Sequence, residues 1–130
     1  MRGKRPNILI IDDEQDTLNL LKIALARKGF NALIAATWDE VLEQIKKIDK
    51  INGKIDAIIL DIMMPERSGF DLLIALKVIL VPIPPVIMLS AVTGIEQQIR
   101  ARELGAIKFI TKPTTPSELV RVIRDVLDKP

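Results

Sequence analysis

The sequence predicts a three-layer α/β sandwich built on a parallel sheet. Three observations point there: short, almost continuously apolar runs, longer helical patterns between them, and five rounds of that alternation. Runs 8–11 (ILII), 58–60 (IIL) and 86–89 (VIML) read as strands covered on both faces, with 32–35 (ALIA) and 107–110 (IKFI) as weaker ones. A chain of 130 residues is expected to form a single domain with a substantial core.

The helices follow in order. The first, over 14–28, sets Leu18, Leu21 and Leu25 on one stripe and stops at Gly29. TWDE at 37–40 is a capping box that opens the second, which buries Val41, Leu42, Ile45 and Ile48. A third begins near Gly69 and turns Leu72, Leu73 and Leu76 inward. TGIE at 93–96 is a second capping box, opening a thinly apolar fourth helix anchored by Ile95 and Ile99 and closed by Gly105. TPSE at 115–118 opens the last, with Pro116 at its first position and Leu119, Val120, Ile123 and Val126 facing the core. Between the third helix and fourth strand lies VILVPIPPV at 78–86, whose three prolines bar a longer helix. Residues 78–81 are expected to finish the third helix and pack under this loop, an exposed partner patch being the alternative.

Composition excludes several functions. Lys and Arg number 19 against 17 acids, and a net charge of +2 is too small to argue for nucleic acid. Cys is absent, which removes disulfides and thiolate metal sites; His is absent, which removes a Ser-His-Asp triad and a histidine zinc site. The basic start, MRGKRPN, leads into an apolar run too short for a signal peptide or membrane span, so a cytoplasmic location is expected. Arg2, Lys4 and Arg5 form a basic tail within residues 1–6, and Arg121, Arg124 and Lys129 make the last helix basic.

In a parallel α/β sheet, ligands gather beyond the carboxyl ends of the strands, where strand order reverses. Asp12 and Asp13 follow the first strand, Asp61 the third, Ser90 the fourth and Lys112 the fifth. Strand ends meet water, so polar residues are ordinary there one by one. Three carboxylates converging from separate segments are not, because they repel one another and one would be forced to protonate. A divalent cation removes the conflict, and an all-oxygen site suits Mg²⁺ or Mn²⁺. Neither of the glycine-rich phosphate-binding patterns occurs.

ILIIDDE, ILDIMMPERSG, VIMLSA and GAIKFITKP, with Pro65 and Gly69 four and eight residues after Asp61, carry a resemblance. The chain resembles the receiver domain of two-component response regulators, of the chemotaxis-regulator kind, over almost its whole length. The resemblance implies a flavodoxin-like (βα)5 fold with sheet order 2-1-3-4-5. It implies that Asp61 accepts the phosphoryl group and that Asp13, Asp61 and the Met63 carbonyl hold Mg²⁺, with Asp12 acting through water. Lys112 and Ser90 then contact phosphoryl oxygens, and Ala91 keeps the pocket open. Ser90 and Phe109 form the switch, although ordinary core packing would serve Phe109 equally. The surface expected to change is the fourth helix, fifth strand and fifth helix, roughly 94–104 and 109–127, through which a homodimer is allowed. The implied partners are a histidine kinase or phosphotransfer protein and a downstream target or output domain, with no direct nucleic acid and no membrane.

A departure from the family pattern is Thr114, where many receivers carry an aromatic residue. The resemblance also places a cis bond before Pro113. Met63 and Val92 flank the expected path of attacking water, and two apolar residues there lead us to expect slow dephosphorylation, unless both merely fill space. Two rival readings differ in class. A phosphorylation-independent interaction module would be marked by a lost Asp61, Lys112 or acid pair, and all are intact. A small Mg²⁺-dependent phosphatase with an Asp nucleophile would place two acids two residues apart on strand one, whereas Asp12 and Asp13 are adjacent. The chain is read as one receiver domain over 1–130, with 129–130 ending the domain or starting a linker.

Overall fold

The computed structural model describes residues 5–64, 67–91 and 94–128. Five strands, β1 (Asn7–Ile11), β2 (Asn31–Ala35), β3 (Ala57–Asp61), β4 (Val86–Ser90) and β5 (Lys108–Thr111), alternate with five helices. These are α1 (Gln15–Arg27), α2 (Trp38–Lys50), α3 (Gly69–Ile79), α4 (Ile95–Glu103) and α5 (Pro116–Leu127). All strand pairings are parallel and the sheet order is β2-β1-β3-β4-β5, so strand order reverses between β1 and β3. Among the described residues no helix is long and apolar enough to cross a membrane.

Continuous apolar strands have a direct consequence here, since alternate side chains feed two cores. Leu9, Ile11, Ile58, Leu60, Val86 and Met88 pack on one face with α2, α3 and Ala101 of α4. Ile8, Ile10, Ala57, Ile59, Ile87 and Leu89 pack on the other with α1 and α5. Side chains buried this fully contribute about 1.5–3 kcal/mol each from apolar transfer.

Most helix ends obey their local signals. The hydroxyls of Thr37, Ser68 and Thr115 accept from the N–H groups three residues on. Gly29 and Gly105, just past α1 and α4, take φ of +92° and +106°, which suits glycine. Glu40 departs from the capping-box pattern: its carboxylate accepts from the N–H of Ala36, one residue before the cap. Leu42 and Ile45 are half-buried, while Val41 and Ile48 are buried as expected. The peptides before Pro113 and Pro82 are both cis.

Three expectations require correction. Ile95 and Ile99 do not anchor α4; they are 71% and 52% exposed. One turn apart, they share a stripe that faces solvent, and Ala101, about 200° round from Ile99, is the residue buried against the sheet. The N-cap of α4 is Gly94, which has no side chain to cap the helix. Residues 78–81 do not pack as a unit under the proline loop. Val78 and Val81 are 74% and 82% exposed, because Val78 extends the solvent-facing stripe of Ile74, and only Leu80 and Ile83 reach the core. Pro65, Val92, Thr93, Arg2, Lys4 and Lys129 lie outside the described residues.

Gly69 marks the tightest packing. A Cβ there would overlap the carbonyl oxygen of Asp61 and come within 2.8 Å of Ile62 Cα, both backbone atoms that cannot swing aside. Gly69→Ala is expected to lower the unfolding free energy by about 1–3 kcal/mol in urea titrations, the usual cost of overpacking.

Candidate functional site

β1 and β3 end side by side at the point where strand order reverses, which brings Asp12, Asp13 and Asp61 together. Oxygens of the three carboxylates all lie within 4.8 Å of one another. Asp12 and Asp61 are buried and Asp13 is exposed. β5 delivers Lys112, whose N–H donates to the carbonyl of Ser90, tying the β5–α5 turn to the end of β4. Its Nζ lies 3.0 Å from Asp12 Oδ2 and 3.4 Å from Asp61 Oδ2, with Glu14 at 3.9 Å.

Backbone donors complete the geometry. The N–H of Glu14 donates to Asp12 Oδ1 at 3.0 Å, and the N–H of Met63 donates to Asp61 Oδ1 at 3.3 Å. Met63 itself is exposed, immediately beyond the end of β3. Ser90 is fully buried as the last residue of β4, directly across from Thr111 in the β4–β5 register. Phe109 sits opposite Met88, half-buried against the α2–α3–α4 face of the sheet. The acids, Lys112 and Met63 therefore meet in one cluster, with Ser90 at the adjoining strand end and Phe109 two residues down β5.

Electrostatics expose the strain in this arrangement. Burial, reinforced by the charge of Asp12, pushes the Asp61 carboxyl up to about 6, against the opposing pull of Lys112 and the Met63 N–H. Burial would lower the Lys112 ammonium, but its hydrogen bond to Asp12 and the charges of Asp12 and Asp61 outweigh this and raise it. Asp12, Asp61 and Glu14 thus share one ammonium and Asp13 adds a further carboxylate, so the cluster keeps an excess of negative charge that a divalent cation would reduce. An all-oxygen donor set of this size fits Mg²⁺ or Mn²⁺.

Sequence reasoning missed one lining of the site. Asp13 borders a cavity of about 620 Å³ shared with Trp38, Asp39, Met64 and Arg67, and the Arg67 guanidinium lies 6.0 Å from the Trp38 ring centroid. A single tryptophan at the head of α2 was the available signal, but only the fold places it beside the first acid turn.

The raised Asp61 pKa has a sign that can be tested. The fold binds this proton more tightly than the unfolded chain, so the ionised carboxylate costs stability above pH 6. That cost fades as pH falls toward the ordinary value of 3.8. With a chelator present, Asp61→Asn is expected to raise stability by about 1–3 kcal/mol at pH 7.5. The gain should shrink steadily between pH 6 and pH 4 in urea titrations.

Comparison with known proteins places the chain in a family. The family model of the response regulator receiver domain matches residues 8–124. The transcriptional regulatory protein CpxR of Escherichia coli (strain K12) is 37% identical over 120 residues, 92% of this chain and 48% of that protein. The response regulator SaeR of Staphylococcus aureus (strain USA300) is 33% identical over 123 residues, covering 95% of this chain and 51% of its own length. The chain therefore spans about half the length of the curated relatives it matches. The crystal structure of a CheY-like response regulator receiver domain protein from Methanospirillum hungatei JF-1 superposes with a TM-score of 0.81. The two are 31% identical, over 96% of this chain and 95% of that one. On fold and sequence alike, the chain belongs to the response regulator receiver domain family.

Proposed function

We propose that Asp61 accepts a phosphoryl group from a phosphohistidine on another protein, and that this modification alters the surface formed by α4, β5 and α5. The observation that carries the reading is the cluster itself: buried Asp61 beside two further carboxylates, with Lys112 Nζ 3.4 Å away. These 130 residues contain no histidine, so a phosphohistidine donor lies outside them, as on a kinase or phosphotransfer protein. An Asp61 carboxylate oxygen attacks phosphorus, the phosphorus–nitrogen bond breaks, and its electron pair returns to the imidazole, which takes up a proton.

A carboxylate attacking an anion meets like-charge repulsion, and this chain's residues reduce it. Asp13, Asp61 and the Met63 carbonyl would hold Mg²⁺, with Asp12 reached through water, and the ion when bound supplies charge neutralisation at the transferred phosphoryl group. Lys112 is already positioned by Asp12 and can offer its ammonium as a point charge to a phosphoryl oxygen. The Ser90 hydroxyl donates to another oxygen, and Phe109 on β5 follows the movement of Ser90. Met63 leaves the approach of water apolar, which favours a long-lived acyl phosphate; Val92 is proposed to act alongside it.

Relatives named as transcriptional regulators are about twice as long as this chain. By that likeness, the receiver works as one unit controlling an attached output domain or a separate target in the cytoplasm, without itself touching nucleic acid. A homodimer through α4, β5 and α5 is one form that control can take. Its only catalysis is then of its own phosphorylation and dephosphorylation.

Incubation with acetyl phosphate and Mg²⁺, followed by intact mass analysis, tests the reading. Wild type is expected to gain one phosphoryl group, Asp61→Asn none, and Lys112→Ala far less; excess chelator should abolish the gain. An equal gain in wild type and Asp61→Asn would overturn the assignment. Met63→Asn is expected to shorten the lifetime of the phosphorylated form.

A further inference from the structure

α4 is the least embedded helix of the fold. Ala101 is its single buried residue, and its two isoleucines face solvent. A small pocket of about 40 Å³ opens where it meets β5, lined by Gln98, Ala101, Arg102 and Phe109 among others. Two of the contacts that tie it down come from α3. The Arg100 guanidinium lies 4.5 Å from the centroid of the Phe70 ring. Lys77 Nζ donates to the carbonyl of Leu104, at the C-terminal end of α4, at 2.9 Å.

The α3 end of this connection reaches the acceptor. Phe70 is buried in the first turn of α3 and directly follows Gly69, which rests against the backbone of Asp61 and Ile62. The Gly69 N–H donates to the Ile62 carbonyl at 2.8 Å. A continuous chain of contacts thus runs from the acceptor's backbone, through the start of α3, to α4.

Resting on the reading of Asp61 as acceptor, the geometry points to a clamp. Through Arg100–Phe70 and Lys77–Leu104, α3 holds α4 in its unphosphorylated position and so restrains phosphorylation of Asp61. Contacts made in one state and lost in another bias the equilibrium by their differential strength. An exposed cation over an aromatic face is worth about two- to five-fold in such an equilibrium. Because α4 is held by polar and cation–π contacts, it can shift while uncovering little apolar surface. This device is separate from Ser90 and Phe109, which act from the sheet side.

Hydrogen exchange across 95–104 and the rate of Mg²⁺-dependent phosphorylation by acetyl phosphate test the clamp. The proteins are wild type, Arg100→Ala, Phe70→Leu, their double variant, and Lys77→Met. Arg100→Ala and Phe70→Leu should each speed α4 exchange about two- to five-fold and Lys77→Met should speed it too, with α5 unchanged and the double variant no faster than Arg100→Ala. Phosphorylation should accelerate by the same factor. Wild-type exchange in Arg100→Ala, a surface change that leaves the core intact, would overturn the clamp. Faster exchange with unaltered phosphorylation would overturn the restraint on Asp61. A wild type that takes up no phosphoryl group would refute the acceptor reading and the restraint with it. Exchange would still decide whether α3 holds α4.

Discussion

Mutual repulsion among Asp12, Asp13 and Asp61, only partly offset by Lys112, is the constraint on which this molecule turns. Carboxylate oxygens within 4.8 Å of one another would not be assembled by packing alone, since burial and like charge both oppose it. The fold imposes the arrangement because β1 and β3 are neighbours, buried on both faces, and end at the same level. Apolar packing along the strands thus stabilises an unfavourable charge cluster at their ends.

From that edge outward, rigidity falls away unevenly. α1 and α5 cover one face with wide apolar stripes, and α3 seats five residues from Gly69 to Leu76 in the other core. α4 buries one alanine and takes two of its contacts from α3. A change in charge at Asp61 therefore meets stiff neighbours in most directions and a soft one at α4. The function proposed above would call for that combination: a site held firmly enough to define its chemistry, beside an element weakly enough held to respond.

Much of this was legible in the sequence. Unbroken apolar runs such as ILII and VIML have no reading but buried strands in a chain of alternating helices, and Thr37 and Thr115 marked two helix starts with local chemistry. The acids were legible because they interrupt apolar runs at equivalent positions, and topology does the rest. What escaped was tertiary. The isoleucines of α4 looked like anchors because hydrophobicity does not reveal which way a short helix is rotated, and the sheet chose Ala101 instead. Val78 looked like core for the same reason, and Val81 because its hydrophobicity does not show that it lies past the end of α3. The Arg100–Phe70 contact joins residues thirty apart with no shared motif, and nothing local announces it.

The charge cluster predicts its own remedy, and the most direct measurement is thermal stability as a function of Mg²⁺ concentration at pH 7.5, in wild type and Asp13→Asn. An ion that binds only the folded site raises stability logarithmically with its concentration. Wild type should climb steadily with added Mg²⁺ while Asp13→Asn stays flat. Parallel curves for the two proteins, or no rise in either, would contradict the account.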